Sequence, residues 1–137
     1  MTQAVEHIVF DIGSVLIHYD PNLPFSRLIP DESERRWFFE NICTHDWNEQ
    51  QDAGRSFEDA TNELILKHPD WEVPIRAWYG RWTETIPGPV HDTVEILRHF
   101  KESPDHRLYA LTNWSAETFP WALNTFDFLH WFEGIVV

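Results

Sequence analysis

Near the start of the chain, a short apolar run ends on a single acid: His7-Ile8-Val9-Phe10-Asp11, followed by Ile12-Gly13-Ser14-Val15-Leu16. The β-branched and aromatic residues predict a buried strand whose carboxyl end presents one carboxylate, and Gly13 lets the next loop pass close to a ligand. Open α/β sheets bind ligands at the carboxyl ends of their strands, which is where a nucleophile belongs. The same string equally suits an acid that only caps a turn. The rest of the chain has to decide between them.

Further along, Arg107-Leu-Tyr-Ala-Leu-Thr112 is a second strand-like run, and Gly134-Ile-Val-Val137 begins a third. Helical patterns separate them. Asp31 with Glu34 resembles a capping box that opens a helix through Trp37, Phe38, Phe39 and Ile42. Gly54 is a helix stop, and Ser56 caps a second helix with Phe57, Ala60, Thr61, Leu64 and Ile65 on one face. From Asp70 another helix follows, with Pro74 early enough for its first turn. Val90, Val94, Leu97 and Phe100 mark an amphipathic helix, and residues near 116–126 one more. Pro21, Pro24 and Pro30 break any long helix near the first crossing, and Ile86-Pro-Gly-Pro89 forms the second break. Strands alternating with helices predict an α/β fold: a partial Rossmann-like parallel sheet of three strands with an inserted all-helical cap. Residues 1–20 with 86–137 form the incomplete core, and 21–85 the cap.

Composition narrows the function classes. The formal net charge is −13, and the lysines are Lys67 and Lys101 alone. Such a surface repels phosphate backbones at long range, so neither nucleic acid nor an anionic membrane is an expected partner, while a small anionic substrate in a local pocket remains compatible. The single Cys43 fits a reducing compartment. No basic, apolar leader precedes the first strand and no window approaches a membrane span, so a cytoplasmic location is expected. The eight histidines do not cluster at metal-ligand spacing.

Taken together, Phe10-Asp-Ile-Gly-Ser-Val-Leu16 resembles the first motif of the haloacid dehalogenase-like (HAD) hydrolase superfamily. Leu108-Tyr-Ala-Leu-Thr-Asn113 is similar to its second. The helical insert lies where that family places its C1-type caps. The resemblance implies Asp11 as the nucleophile that forms a covalent aspartyl intermediate. It implies that Thr112 bonds a phosphoryl oxygen, with the Asn113 amide nearby at a helix N-terminus. The metal would be Mg²⁺, held by Asp11 and the Gly13 carbonyl. Trp114 is placed to line a pocket. Gln51 and Arg55 lie in the polar part of the cap, where relatives place specificity residues, and Arg55 suits a substrate phosphate or carboxylate.

Two departures qualify what the resemblance implies. Most phosphatases of the superfamily carry a second Asp two residues after the nucleophile, as general acid; this chain has Gly13 there. General acid catalysis is worth about a hundred to ten-thousand-fold, so another donor or an undemanding leaving group is needed. A Phe-Asp-x-Gly-x-Val-Leu subset resembles sugar-phosphate phosphatases. True 2-haloacid dehalogenases, the alternative, also lack the acid, although they usually have an aromatic where Gly13 stands. The superfamily's third-motif Lys and fourth-motif acidic pair lie beyond the third strand, and no lysine follows Asn113. The chain therefore matches the N-terminal portion of such an enzyme, with little or no activity expected alone, and a non-catalytic interaction module is the alternative of another class. The Ile8–Phe10 edge is expected to lie unpaired, inviting a dimer or a segment swap.

Overall fold

The computed structural model describes residues 6–137 and has the expected α/β class. Three strands, β1 (His7–Phe10), β2 (Arg107–Leu111) and β3 (Gly134–Val136), form a parallel sheet in the order β1-β2-β3. Five α-helices precede β2's own crossover helix: α1 (Asn22–Leu28), α2 (Glu32–Asn41), α3 (His45–Asp52), α4 (Phe57–Lys67) and α5 (Glu72–Gly80). The crossover helix is α6 (His91–Lys101), and α7 (Phe119–Thr125) joins β2 towards β3. No described helix is long and apolar enough to cross a membrane.

The chain divides into two compact units, one running to His18 and resuming at Gly88–Val137, the other being Tyr19–Pro87. In the first, His7 pairs with Arg107 and Phe10 with Ala110, while Tyr109 pairs with Gly134 and Leu111 with Val136. Leu108 and Ala110 turn to the buried side, and α6 packs against β2. Residues after β1 turn back on themselves: the Ile12 carbonyl accepts from the Leu16 amide at 2.8 Å, and Ile12, Leu16 and Ile17 are fully buried. The strand exit is tied to the re-entry, for the His18 amide donates to the Gly88 carbonyl (2.9 Å) and the Val90 amide to that of Leu16 (2.8 Å).

The second unit is a helical cluster around aromatic rings. Phe25 lies at its centre, with ring centroids of Phe38, Phe39 and Trp78 at 5.4, 5.5 and 5.6 Å. Two helix starts follow the sequence, since Asp31 accepts from the Ser33 amide and Ser56 from that of Asp59; a third, which patterning did not single out, has Thr44 accepting from the Trp47 amide. Such caps satisfy amides that have no partner within the helix. Gly54 adopts φ +116 just after α3, where a side chain would be strained.

Helix α1 is a short helix that the sequence reading, in which Pro21, Pro24 and Pro30 break any long helix, did not identify. Pro24 is its third residue, where the missing N–H would have had no helical acceptor in any case. Arg35 ties both ends of α1, donating to Asn22 Oδ1 (3.0 Å) at its start and to the Ile29 carbonyl (2.9 Å) past its end. The last helix is also shorter than expected, starting at Phe119 with Pro120 in its first turn.

Because Phe25 is fully buried while Leu23 on the same helix is 44% exposed, their truncations separate packing from propensity. Phe25→Ala is expected to destabilise the chain by about 3–5 kcal/mol in denaturant melts, and Leu23→Ala by no more than about 0.5 kcal/mol. Equal losses would contradict the placement of α1.

Candidate active site

Asp11 follows the last residue of β1, and Thr112 follows the last residue of β2. Since Phe10 and Ala110 are register partners in a parallel pair, both residues emerge from the same end of the sheet, on neighbouring strands about 4.8 Å apart. Asp11 is exposed, and its Oδ1 accepts from the Ile12 amide at 2.8 Å. Thr112 is buried, and its amide continues the sheet by donating to the Val136 carbonyl at 2.9 Å. An ionised carboxylate beside a strand-end hydroxyl can attack an electrophile while the hydroxyl bonds one of that group's oxygens.

A Cβ built on Gly13 would meet nothing within 4 Å, and it is Ser14 that has a positive φ of 61. Left-handed backbone at a non-glycine residue is uncommon; here the Ser14 amide is held by the Ile17 carbonyl at 2.8 Å. Close packing therefore does not demand the missing side chain at position 13.

On the β2 side, Asn113 is exposed and Trp114 is buried, its Nε1 donating to Thr118 Oγ1 at 2.9 Å and its ring meeting Phe119 edge-on. Asn113 does not stand at a helix N-terminus. The Ser115 carbonyl accepts from the Thr118 and Phe119 amides and Ser115 Oγ from that of Glu117, so residues 115–118 form a turn before α7 begins.

The metal implied by the resemblance is not matched by the donors present. Among the described residues no group of three or more His, Cys, Asp or Glu is placed to hold an ion. Asp11 and the Gly13 carbonyl leave Mg²⁺ well short of its octahedral oxygen shell.

Gln51 and Arg55 belong to the other unit, where both are engaged. The Arg55 guanidinium pairs with Glu63 and donates to Gln50 Oε1 at 2.9 Å. Gln51 is buried, and its Nε2 donates to the Trp47 carbonyl (2.7 Å) and to Tyr79 Oη (2.8 Å); Tyr79 in turn donates to Asn48 Oδ1 (2.8 Å), which also accepts from Trp78 Nε1. Gln51 Oε1 and Trp47 Nε1, one turn apart on α3, are buried without a hydrogen-bond partner among the described residues. Around them gather groups that sequence patterning did not single out. Burial pushes the Tyr19 hydroxyl up to about 12, with the Asp52 charge adding to it, and burial also raises the Cys43 thiol and the Tyr79 hydroxyl. Asp52 is raised to about 6, first by burial and then by Glu49, with His45 opposing. No one-dimensional spacing joins Tyr19, Cys43, Asp52 and Tyr79; only folding does.

Comparison with known proteins adds the fold. No family model matches the sequence, and no curated protein does. The structure resembles that of a HAD family enzyme from Bacteroides thetaiotaomicron, solved as a magnesium complex, with a TM-score of 0.65 at 16% identity over 98% of this chain and 68% of that one. The chain has a HAD-like fold. At that identity the likeness concerns backbone architecture, and the magnesium belongs to that enzyme.

Asp52 gives a test of the electrostatics within the helical unit. Its folded value lies above its unfolded one, so the native state holds the proton more tightly between about pH 4 and 6, and stability declines as pH rises through that window. Asp52→Asn should therefore raise the melting temperature at pH 8 and leave it nearly unchanged at pH 4. An equal shift at both pH values would show that the carboxylate carries no such penalty.

Proposed function

We propose that this chain is a HAD-type hydrolase acting on a small phosphorylated molecule of the sugar-phosphate kind, with Asp11 as nucleophile. The observation that carries the reading is the emergence of Asp11 and Thr112 from the same end of adjacent parallel strands, in a fold like that of a HAD family enzyme. An Asp11 carboxylate oxygen would attack phosphorus while the bond to the leaving alcohol breaks, forming an aspartyl phosphate. The Thr112 hydroxyl would donate to a non-bridging phosphoryl oxygen. Water then attacks phosphorus, releasing inorganic phosphate and restoring the carboxylate. The departing alkoxide takes its proton from solvent, since position 13 carries no acid. Asn113 and Trp114, beside Thr112 in sequence, are assigned to the substrate. Arg55 or Gln51 would reach a ligand only by giving up Glu63 or Tyr79, respectively.

A second reading is favoured by the same glycine and by the sparse metal donors. In a 2-haloacid dehalogenase, Asp11 would displace halide from carbon as an ester forms; halide needs no proton, and the attack needs no cation. The two readings differ in the group that leaves.

Because the 137-residue chain alone is expected to have little or no activity, the two are distinguished in a chain extended to include the third and fourth motifs, incubated with p-nitrophenyl phosphate or 2-chloropropionate. Phosphate release with a phosphorylated Asp11 peptide in mass spectrometry, both lost in Asp11→Asn, is the expected result. Chloride release with an Asp11 ester would select the dehalogenase. Turnover undiminished in Asp11→Asn would overturn both assignments, and no turnover of either substrate would leave the chain an interaction module. Gly13→Asp, for which the backbone leaves room, is expected to raise phosphatase turnover at least about tenfold by supplying the proton.

A further inference from the structure

Helix α3 ends on the wrong charge. Asp52 is its last residue, and no basic residue stands in its last turn. Unpaired carbonyls at a helix C-terminus repel a carboxylate and attract cations. Helices α1, α4 and α6 follow that rule, with Arg27, Lys67 and Lys101 in their last turns. The groups around Asp52 do not repair the mismatch. On α3 itself Glu49, one turn back, adds a like charge, and His45, which opposes it, is bonded to Glu49 at 3.0 Å. From other elements, the Tyr19 and Tyr79 hydroxyls lie close enough to feel the Asp52 charge, and both also feel the Cys43 thiol. Neither a phenol nor a thiol neutralises a carboxylate. Arg55, three residues on, is committed to Glu63 and Gln50. Burial, then Glu49, raise Asp52 to about 6.

On both sides of this charge the chain is held. Gln51 and Asn48 tie the body of α3 to Tyr79 and Trp78 of α5, and the Arg55 guanidinium ties the following segment to Glu63 of α4. Between these anchors lie Asp52, the exposed Ala53, and Gly54 at φ +116. Three backbone bonds close the turn. The Ala53 amide donates to the Glu49 carbonyl (3.1 Å), that of Gly54 to Gln51 (3.0 Å) and that of Arg55 to Gln50 (3.1 Å). The acceptors belong to the last turn of α3, whose field opposes a charge on Asp52. We infer that the end of α3 is a pH-sensitive latch: protonation of Asp52 closes the turn through Ala53 and Gly54, and ionisation loosens that turn while the rest of the helical unit stays folded. A carboxyl that holds its proton more tightly when folded stabilises its surroundings at low pH and ceases to as pH rises past its folded value. The turn is therefore closed below about pH 6 and loosened above it. The inference concerns the helical unit alone and is independent of any catalytic role for Asp11.

Carboxyl-carbon NMR and amide hydrogen exchange on the chain test the latch. Asp52 should titrate near pH 6. Exchange at the Ala53, Gly54 and Arg55 amides, corrected for the intrinsic effect of pH, should accelerate about tenfold between about pH 5 and 7. The Ala60 amide, bonded to the Ser56 carbonyl within α4, should keep its protection. Asp52→Asn should leave the three turn amides protected at every pH. Glu49→Gln should lower the Asp52 midpoint and His45→Gln should raise it; both side chains are largely exposed, so neither change threatens folding. An Asp52 midpoint in the ordinary carboxylate range overturns the proposal. Equal acceleration at Ala60 also overturns it, because the charge would then act on the whole unit, as does a pH response of the turn that survives in Asp52→Asn.

Discussion

The parallel pairing of β1 with β2 is the contact on which the rest depends. It joins His7–Phe10 to Arg107–Ala110 across the whole inserted helical unit, so its closure entropy is met before the pairing returns any stability. The cost is moderated because loop entropy rises only slowly with length. It is also limited locally, since the bonds from His18 to Gly88 and from Val90 to Leu16 bring the two ends of the insertion together. With that base fixed, the strand ends that carry Asp11 and Thr112 are set side by side regardless of what the insertion contains.

The inserted unit stands on different physics. Its core is aromatic, with Phe25 among Phe38, Phe39 and Trp78, and large rings bury much area at little entropic cost. Beside it runs the polar chain Gln51–Tyr79–Asn48–Trp78. Among the described residues Gln51 Oε1 and Trp47 Nε1 have no hydrogen-bond partner. The raised Asp52 adds a penalty in the same region at neutral pH.

Much of the fold was legible because its signals are local. Caps at Asp31 and Ser56 belong to single turns, as does Gly54; the apolar spacing of Val94 and Leu97 or of Leu108 and Ala110 repeats over a few residues. Helix α1 was hidden because the composition of its segment points to turns, and proline at a third helical position costs nothing that composition can register. In the loop after β1 the positive φ falls on Ser14, whose amide the Ile17 carbonyl holds, a feature no local composition signals.

The alternation of strands with helices in the core, the helical insertion and the acid at the end of the first strand were determined by the sequence alone, since periodicity and turn chemistry are written in neighbouring residues. The adjacency of Asp11 and Thr112, the engagement of Arg55 with Glu63, and the gathering of Tyr19, Cys43, Gln51, Asp52 and Tyr79 were decided by tertiary structure. Each depends on register or burial between segments far apart in the chain, and neither register nor burial is a property of any single segment.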